Sequence, residues 1–178
     1  MKVTHKNCNL LQCLVVFCTL GAITATLAFA GIPADESLLG LSEQALRDSL
    51  PEVTRILKPK WGPHGVRGMF VLNKAILHGQ TFDALFYFKN RRLERIEHRR
   101  IPPEGRCETD YVILISSLNL EYGAGIGTTD SYQAGNLRAS IAWRGENFAA
   151  MAYKLVNRNR CELLVAFEPR QDKDASTL

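Results

Sequence analysis

Histidine, cysteine, activated serine and clustered arginine are the side chains of this 178-residue chain with chemistry to offer. His64 sits in a Pro-Gly segment, Lys58 to Gly65, expected to be a loop. His78 and His98 fall on segments that read as neighbouring strands, and with Glu97 or Asp83 they have the donor types of a metal site. Strand alternation argues against such a site, because the consecutive residues Glu97 and His98 point to opposite faces. Ser116, Ser117 and Ser131 lie in no nucleophile-elbow pattern and have no readable His–Asp partnership. Gly123-Ala124-Gly125-Ile126-Gly127 has the glycines of a phosphate cradle but follows a helical pattern, whereas a cradle needs strand, loop and helix N-terminus in that order. It reads as a helix stop and flexible loop. No catalytic set, metal or cofactor is expected.

Arginine is the uneven component. Lys89 to Arg106 holds seven basic residues against three acidic ones. Guanidinium groups fork onto carboxylates and phosphates; alternatively, charge on a solvated strand discourages edge pairing. Arg91, Arg92, Arg95, Arg99 and Arg100 are therefore candidate protein contacts, as is Trp61. The favoured reading of Trp61 itself is a lid over the core.

The first thirty residues read as an address. Lys2 and Lys6 precede a largely apolar run, Leu10 to Ala30, that ends in the small-x-small signal Ala28-Phe29-Ala30. A signal peptide cleaved after Ala30 is expected, and with it a periplasmic or secreted protein without a stable transmembrane span. Neither Cys13 nor Cys18 follows the small residue of a lipid-attachment signal. Without Lys2 and Lys6, the 22 basic residues become 20 against 18 acidic, so the net charge falls from +4 to +2. That balance gives no reason to expect a nucleic-acid partner. Cys107 and Cys161 survive of the five cysteines, and in an exported chain they are expected to form one disulfide.

The elements that must position these groups are an α+β set. Ser42 is a good N-cap for a helix with Leu41, Ala45, Leu46 and Leu50 on one face, stopped by Pro51. Glu52 to Leu57 reads as a second helical turn. Val66 to His78 is extended, with a bend at Asn73-Lys74. Phe82, Ala84, Phe86 and Phe88 alternate with Asp83, Leu85 and Tyr87, then turn at Lys89-Asn90-Arg91 into the basic strand. After the connector Ile101 to Gly105, Tyr111, Leu114, Ile115, Leu118 and Tyr122 fall at helical spacing. Ala124 to Gly135 reads as a loop. Strands follow at Leu137 to Trp143, Phe148 to Val156 and Arg160 to Glu168, with turns at 144–147 and 157–159. Residues 171–178 are expected to be disordered. The expected architecture is two consecutive helix-plus-antiparallel-meander halves, 31–105 and 106–170, with helices packed on antiparallel sheet.

The Gly40-Leu41-Ser42 helix start and the later Phe86-Tyr87-Phe88 … Arg92-Leu93-Glu94-Arg95-Ile96 hairpin carry a resemblance. The chain resembles the helix-plus-meander envelope domains of the β-lactamase-inhibitor-protein type and of the small outer-membrane assembly lipoproteins (SmpA/OmlA type). The resemblance implies a protein-binding fold without catalysis in an exported bacterial protein. The expected function is a cell-envelope interaction module, either an assembly accessory or an inhibitor-like binder. The alternative is a small-ligand binder or hydrolase with a pocket between helix and sheet.

Overall fold

The structure, a computed structural model, describes residues 35–133, 136–157 and 160–170. The expected signal segment, the 171–178 tail and the tip of the turn at 158–159 lie outside them. Ser42 caps helix α1 (Glu43–Ser49), its hydroxyl accepting from the Ala45 amide at 3.2 Å. Four strands follow: β1 (Thr54–Trp61), β2 (Arg67–Leu77), β3 (Gln80–Lys89) and β4 (Arg92–Arg100). Helix α2 (Cys107–Tyr122) precedes four more: β5 (Ile126–Gln133), β6 (Asn136–Arg144), β7 (Phe148–Asn157) and β8 (Arg160–Pro169). All eight strands form one antiparallel sheet in the order β1-β2-β3-β4-β8-β7-β6-β5, so β4 and β8 meet at its centre.

Three segments differ from expectation; one is Lys58 to Trp61, the first half of the expected Pro-Gly loop, which belongs to β1. The second helical turn at Glu52 to Leu57 is instead the start of β1, where Thr54 and Ile56 favour extended backbone. Pro59 does not prevent this, because an edge strand tolerates a residue without an N–H. The loop from Ala124 is mostly β5, which pairs with β6 from Ile126↔Ala142 to Gln133↔Asn136. Gly123, at φ 83°, does stop α2. Gly125 serves a close approach: an added Cβ would lie 2.4 Å from Ile141 and 2.7 Å from the Trp143 ring.

One face of the sheet carries the main core. Phe82, Ala84, Phe86, Phe88, Ile96, Leu163, Val165 and Phe167 are buried in the same cluster as Leu46 of α1 and Tyr111, Leu114 and Leu118 of α2. Of the residues expected to alternate with the phenylalanines, Asp83 is exposed but Leu85 and Tyr87 are buried too. Leu85, Tyr87 and Val66 form a second cluster on the opposite face, flanked by Ile56 and Val71. The Pro-Gly segment creates that cover. Gly62 and Gly68 lie against the Tyr87 ring, and a Cβ on either would come within 3.0 Å of it.

A bulge decides where the basic strand points. Phe88 pairs with Leu93, but Tyr87 pairs with Arg95, so Glu94 is an extra residue on β4. Beyond it, Ile96 and His98 face the main core while Arg95, Glu97 and Arg99 share the face of Leu85 and Tyr87. The expected opposition of Glu97 and His98 holds.

Candidate functional site

The charged groups of β4 converge on Glu97, which is 3% exposed. Its Oε1 accepts from Arg95 Nε at 2.7 Å. Its Oε2 accepts from Tyr87 Oη at 2.9 Å and from Arg99 Nε and Nη2 at 3.0 and 2.6 Å. Arg95 also donates to Glu168, and Arg99 lies 3.7 Å from Glu162. Burial alone would raise the Glu97 carboxyl, but the Arg99 hydrogen bonds and the Arg95 charge outweigh it and hold it below its ordinary value. Burial and the neighbouring carboxylate push the Tyr87 phenol up to about 12. A carboxylate with four donors on it and a depressed pKa is a poor proton acceptor, and a phenol pushed upward is a poor nucleophile. The network is chemically quiet and mechanically tight.

The sequence-derived contact residues are not one surface. Arg95 is buried in these ion pairs and presents nothing to a partner; the Glu94 bulge turns it from the face of Leu93 to that of Tyr87. Arg99 is partly exposed but committed to Glu97. Arg100 donates to the Thr81 carbonyl at 3.2 Å and to Asp110 at 2.7 Å. Arg91 and Arg92 are exposed at the far turn, and Arg92 donates to the Gly40 carbonyl at 3.0 Å. Trp61 is no core lid. It is 73% exposed at the end of an edge strand, with the Arg67 guanidinium 5.3 Å from its ring centre.

The described histidines have different settings. His98 is fully buried, with edge-on contacts to Phe82 and Phe167 at 6.1 and 5.9 Å between ring centres. His78 sits at the β2–β3 turn, 3.3 Å from Glu121. His64 adopts a left-handed conformation in the turn after β1. No cluster of three or more His, Cys, Asp or Glu suited to a metal occurs among the described residues.

Helix α2 is held at both ends. Cys107 in its first turn is disulfide-bonded to Cys161 on β8, with 5.9 Å between Cα atoms. Asp110 is buried and binds Arg106 at 2.9 Å as well as Arg100. Burial would raise its carboxyl, but these two guanidiniums keep it below its ordinary value. Lys154 reaches Glu108 at 2.9 Å. At the other end, Trp143 Nε1 donates to Asn119 Oδ1 and to the Gly123 carbonyl, at 3.0 and 3.1 Å.

The outer face of this fastened helix is apolar. Tyr111, Leu114 and Leu118 point inward, yet Val112, Ile113 and Leu120 are 53%, 43% and 90% exposed. At 100° per residue these three share an arc with Thr109 and Ser116, and no charged residue falls within it. Glu108 and Glu121 stand outside the arc, engaged with Lys154 and His78. The signal was present in the sequence as surplus: α2 has more large apolar residues than one buried stripe uses.

Cavities offer less. One of about 530 Å³ is lined by Thr81, Asp83, Arg99, Arg100 and Glu162 among others, with its charges balanced. Another, of about 560 Å³, lies between Glu36, Gly40, Glu94 and the β6–β7 turn. Neither is lined by α1 or α2, whose inner faces meet side chains of the core. No described helix is long and apolar enough to cross a membrane. No family model, curated protein or solved structure matches this chain.

Proposed function

We propose that this protein is an exported, non-catalytic interaction module of the bacterial cell envelope, built as two helix-plus-meander halves, and that α2 presents its binding face. The carrying observation is the uncharged arc of Val112, Ile113, Ser116 and Leu120 on a helix clamped by a disulfide and ion pairs. Soluble helices normally place charge on their outer face. A rigid, apolar face already ordered before binding loses little conformational freedom on docking. The partner is a protein with a matching apolar surface. Export accords with the Cys107–Cys161 bond, since disulfides persist in oxidising compartments. The resemblance to envelope-assembly and inhibitor-like modules points the same way.

The test is crosslinking in the exporting host, comparing wild type with Ile113→Glu/Leu120→Glu and with the remote control Arg91→Glu. Partner recovery should fall at least tenfold for the α2 variant and stay level for the control, because a charge at a docked apolar position is buried unpaired. Circular dichroism and an intact disulfide mass establish that the variant is folded. Equal recovery of the same partners by a folded α2 variant would remove α2 as the binding face.

A further inference from the structure

Strand β1 forms the edge of the sheet beyond β2, four positions from β8. It pairs with β2 at Thr54–Arg55 and at Lys60–Trp61, and the register breaks between. Leu57, inside the break, is 96% exposed, and Trp61 is 73% exposed. Arg55, Lys58 and Lys60 lie beside them on β1, and Arg67 pairs with Trp61 from β2, all exposed. Across 52–67 the only acid is Glu52, so four cations face one anion. This is where the chain's unneutralised positive charge meets exposed large apolar side chains, unlike β4, whose inward-facing arginines are committed to carboxylates.

The geometry points to a peripheral docking edge for an anionic lipid bilayer surface. Strand addition by a protein partner is disfavoured, because the broken register and Pro59 interrupt the row of edge hydrogen bonds. A side chain as exposed as Leu57 has no neighbouring wall with which to form a groove. A protein partner would have to supply the entire pocket, whereas a fluid interface accepts an isolated protruding side chain. Trp61 suits the headgroup level, where an indole keeps its ring in apolar surroundings and its N–H in a wet layer. Long basic side chains around it reach lipid phosphates while their stems lie along the acyl boundary. This surface shares no residue with the α2 face, so either can fail alone.

The experiment uses protein recovered from the exporting host, its N terminus fixed by mass. Vesicles of phosphatidylcholine alone are compared with vesicles that also contain phosphatidylglycerol, by co-sedimentation and tryptophan emission. Trp143 is 3% exposed, so a blue shift on vesicle binding reports Trp61. Wild type should bind the anionic vesicles selectively, release with salt, and shift to the blue. Lys58→Gln/Lys60→Gln should lower partitioning about 30-fold, and Trp61→Phe should remove the emission shift. Ile113→Glu/Leu120→Glu should bind vesicles as wild type does. Equal binding to both vesicle types overturns the proposal, as does unchanged partitioning of the lysine variant. A shift with polyglutamate but not with vesicles also overturns it, and assigns the edge to an acidic polypeptide.

Discussion

Glu97→Gln tests the energetics of the β4 face most directly. The substitution keeps the side-chain volume, removes the charge, and turns one end from acceptor to donor opposite Arg95 and Arg99. Breaking a buried ion pair by removing one member costs about 3 to 5 kcal/mol, since the remaining charge is left desolvated. Here the lower end applies. Arg95 keeps Glu168, while Arg99 keeps Glu162 at 3.7 Å and has a side chain 40% exposed to water. With a urea dependence of about 2 kcal/mol per molar for a domain of this size, a loss of about 3 kcal/mol moves the unfolding midpoint down by about 1.5 M. Tyr87→Phe removes one neutral donor from a carboxylate that retains its other three, so about 1 kcal/mol and about 0.5 M are expected. The assay is equilibrium urea unfolding followed by far-UV circular dichroism. A third variant, Glu97→Leu/Arg95→Met/Glu168→Gln, separates lost attraction from stranded charge. If desolvation is the dominant cost, it should recover most of the Glu97→Gln loss, because apolar replacement of a buried ion pair is often neutral or stabilising. A Glu97→Gln midpoint within about 0.5 M of wild type would refute the reasoning, as would a triple variant no more stable than the single one.

The same groups set the pH limits. Glu97 and Asp110 have folded pKa values below their ordinary ones. Their stabilisation is complete above the usual carboxylate range, about 4 to 4.5, and is lost as pH falls through the lower folded values. Tyr87 has the opposite sign. Its phenol is raised to about 12, so its contribution is complete below about 10 and is lost as pH rises from there towards the folded value. Thermal midpoints across pH should therefore fall at both ends, and Tyr87→Phe should blunt the alkaline limb; an unchanged limb would contradict the assignment. The disulfide joins residues 54 apart in sequence, which corresponds to about 4 kcal/mol on the chain-entropy model. Reduction should lower the thermal midpoint on the order of 10 °C, and alkylation without reductant should leave the mass unchanged. Two alkylated cysteines in the native protein would show that the bond is absent in solution.

Legibility followed the physics of each element. Helix α2 was readable because Leu114 and Leu118 recur at its period and Gly123 stops it. The β3–β4 hairpin was readable from its phenylalanines and from Asn90, which adopts the left-handed turn expected of it. The β1 and β5 edges were not readable, because Pro59 and the Gly123–Gly127 run are turn signals that an edge strand tolerates. Burial of the second face was also hidden. The cover over Tyr87 comes from Gly62, Val66 and Gly68, and glycines record where a ring can lie only once the ring's position is known. The contact residues suffered most. A single extra residue, Glu94, reverses the face of everything after it, and no periodicity count locates a bulge before the partner strand is known.

That reversal bears on where binding can reside. With regular alternation, Arg95, Glu97 and Arg99 would share the face of Leu93 and point into the main core. The bulge instead places all three on the face of Tyr87, where both arginines pair with Glu97, while Arg100 pairs with Asp110, so the strongest local concentration of positive charge is largely neutralised internally. Ion pairs of this kind add little net stability over an apolar replacement, but they fix geometry: a register slip of β4 against β3 or β8 would strand several desolvated charges at once. The basic strand thus reads as a register lock for the two central strands. On the reading proposed above, affinity comes from groups the lock leaves unused, the apolar arc of α2 and the Leu57–Trp61 edge of β1.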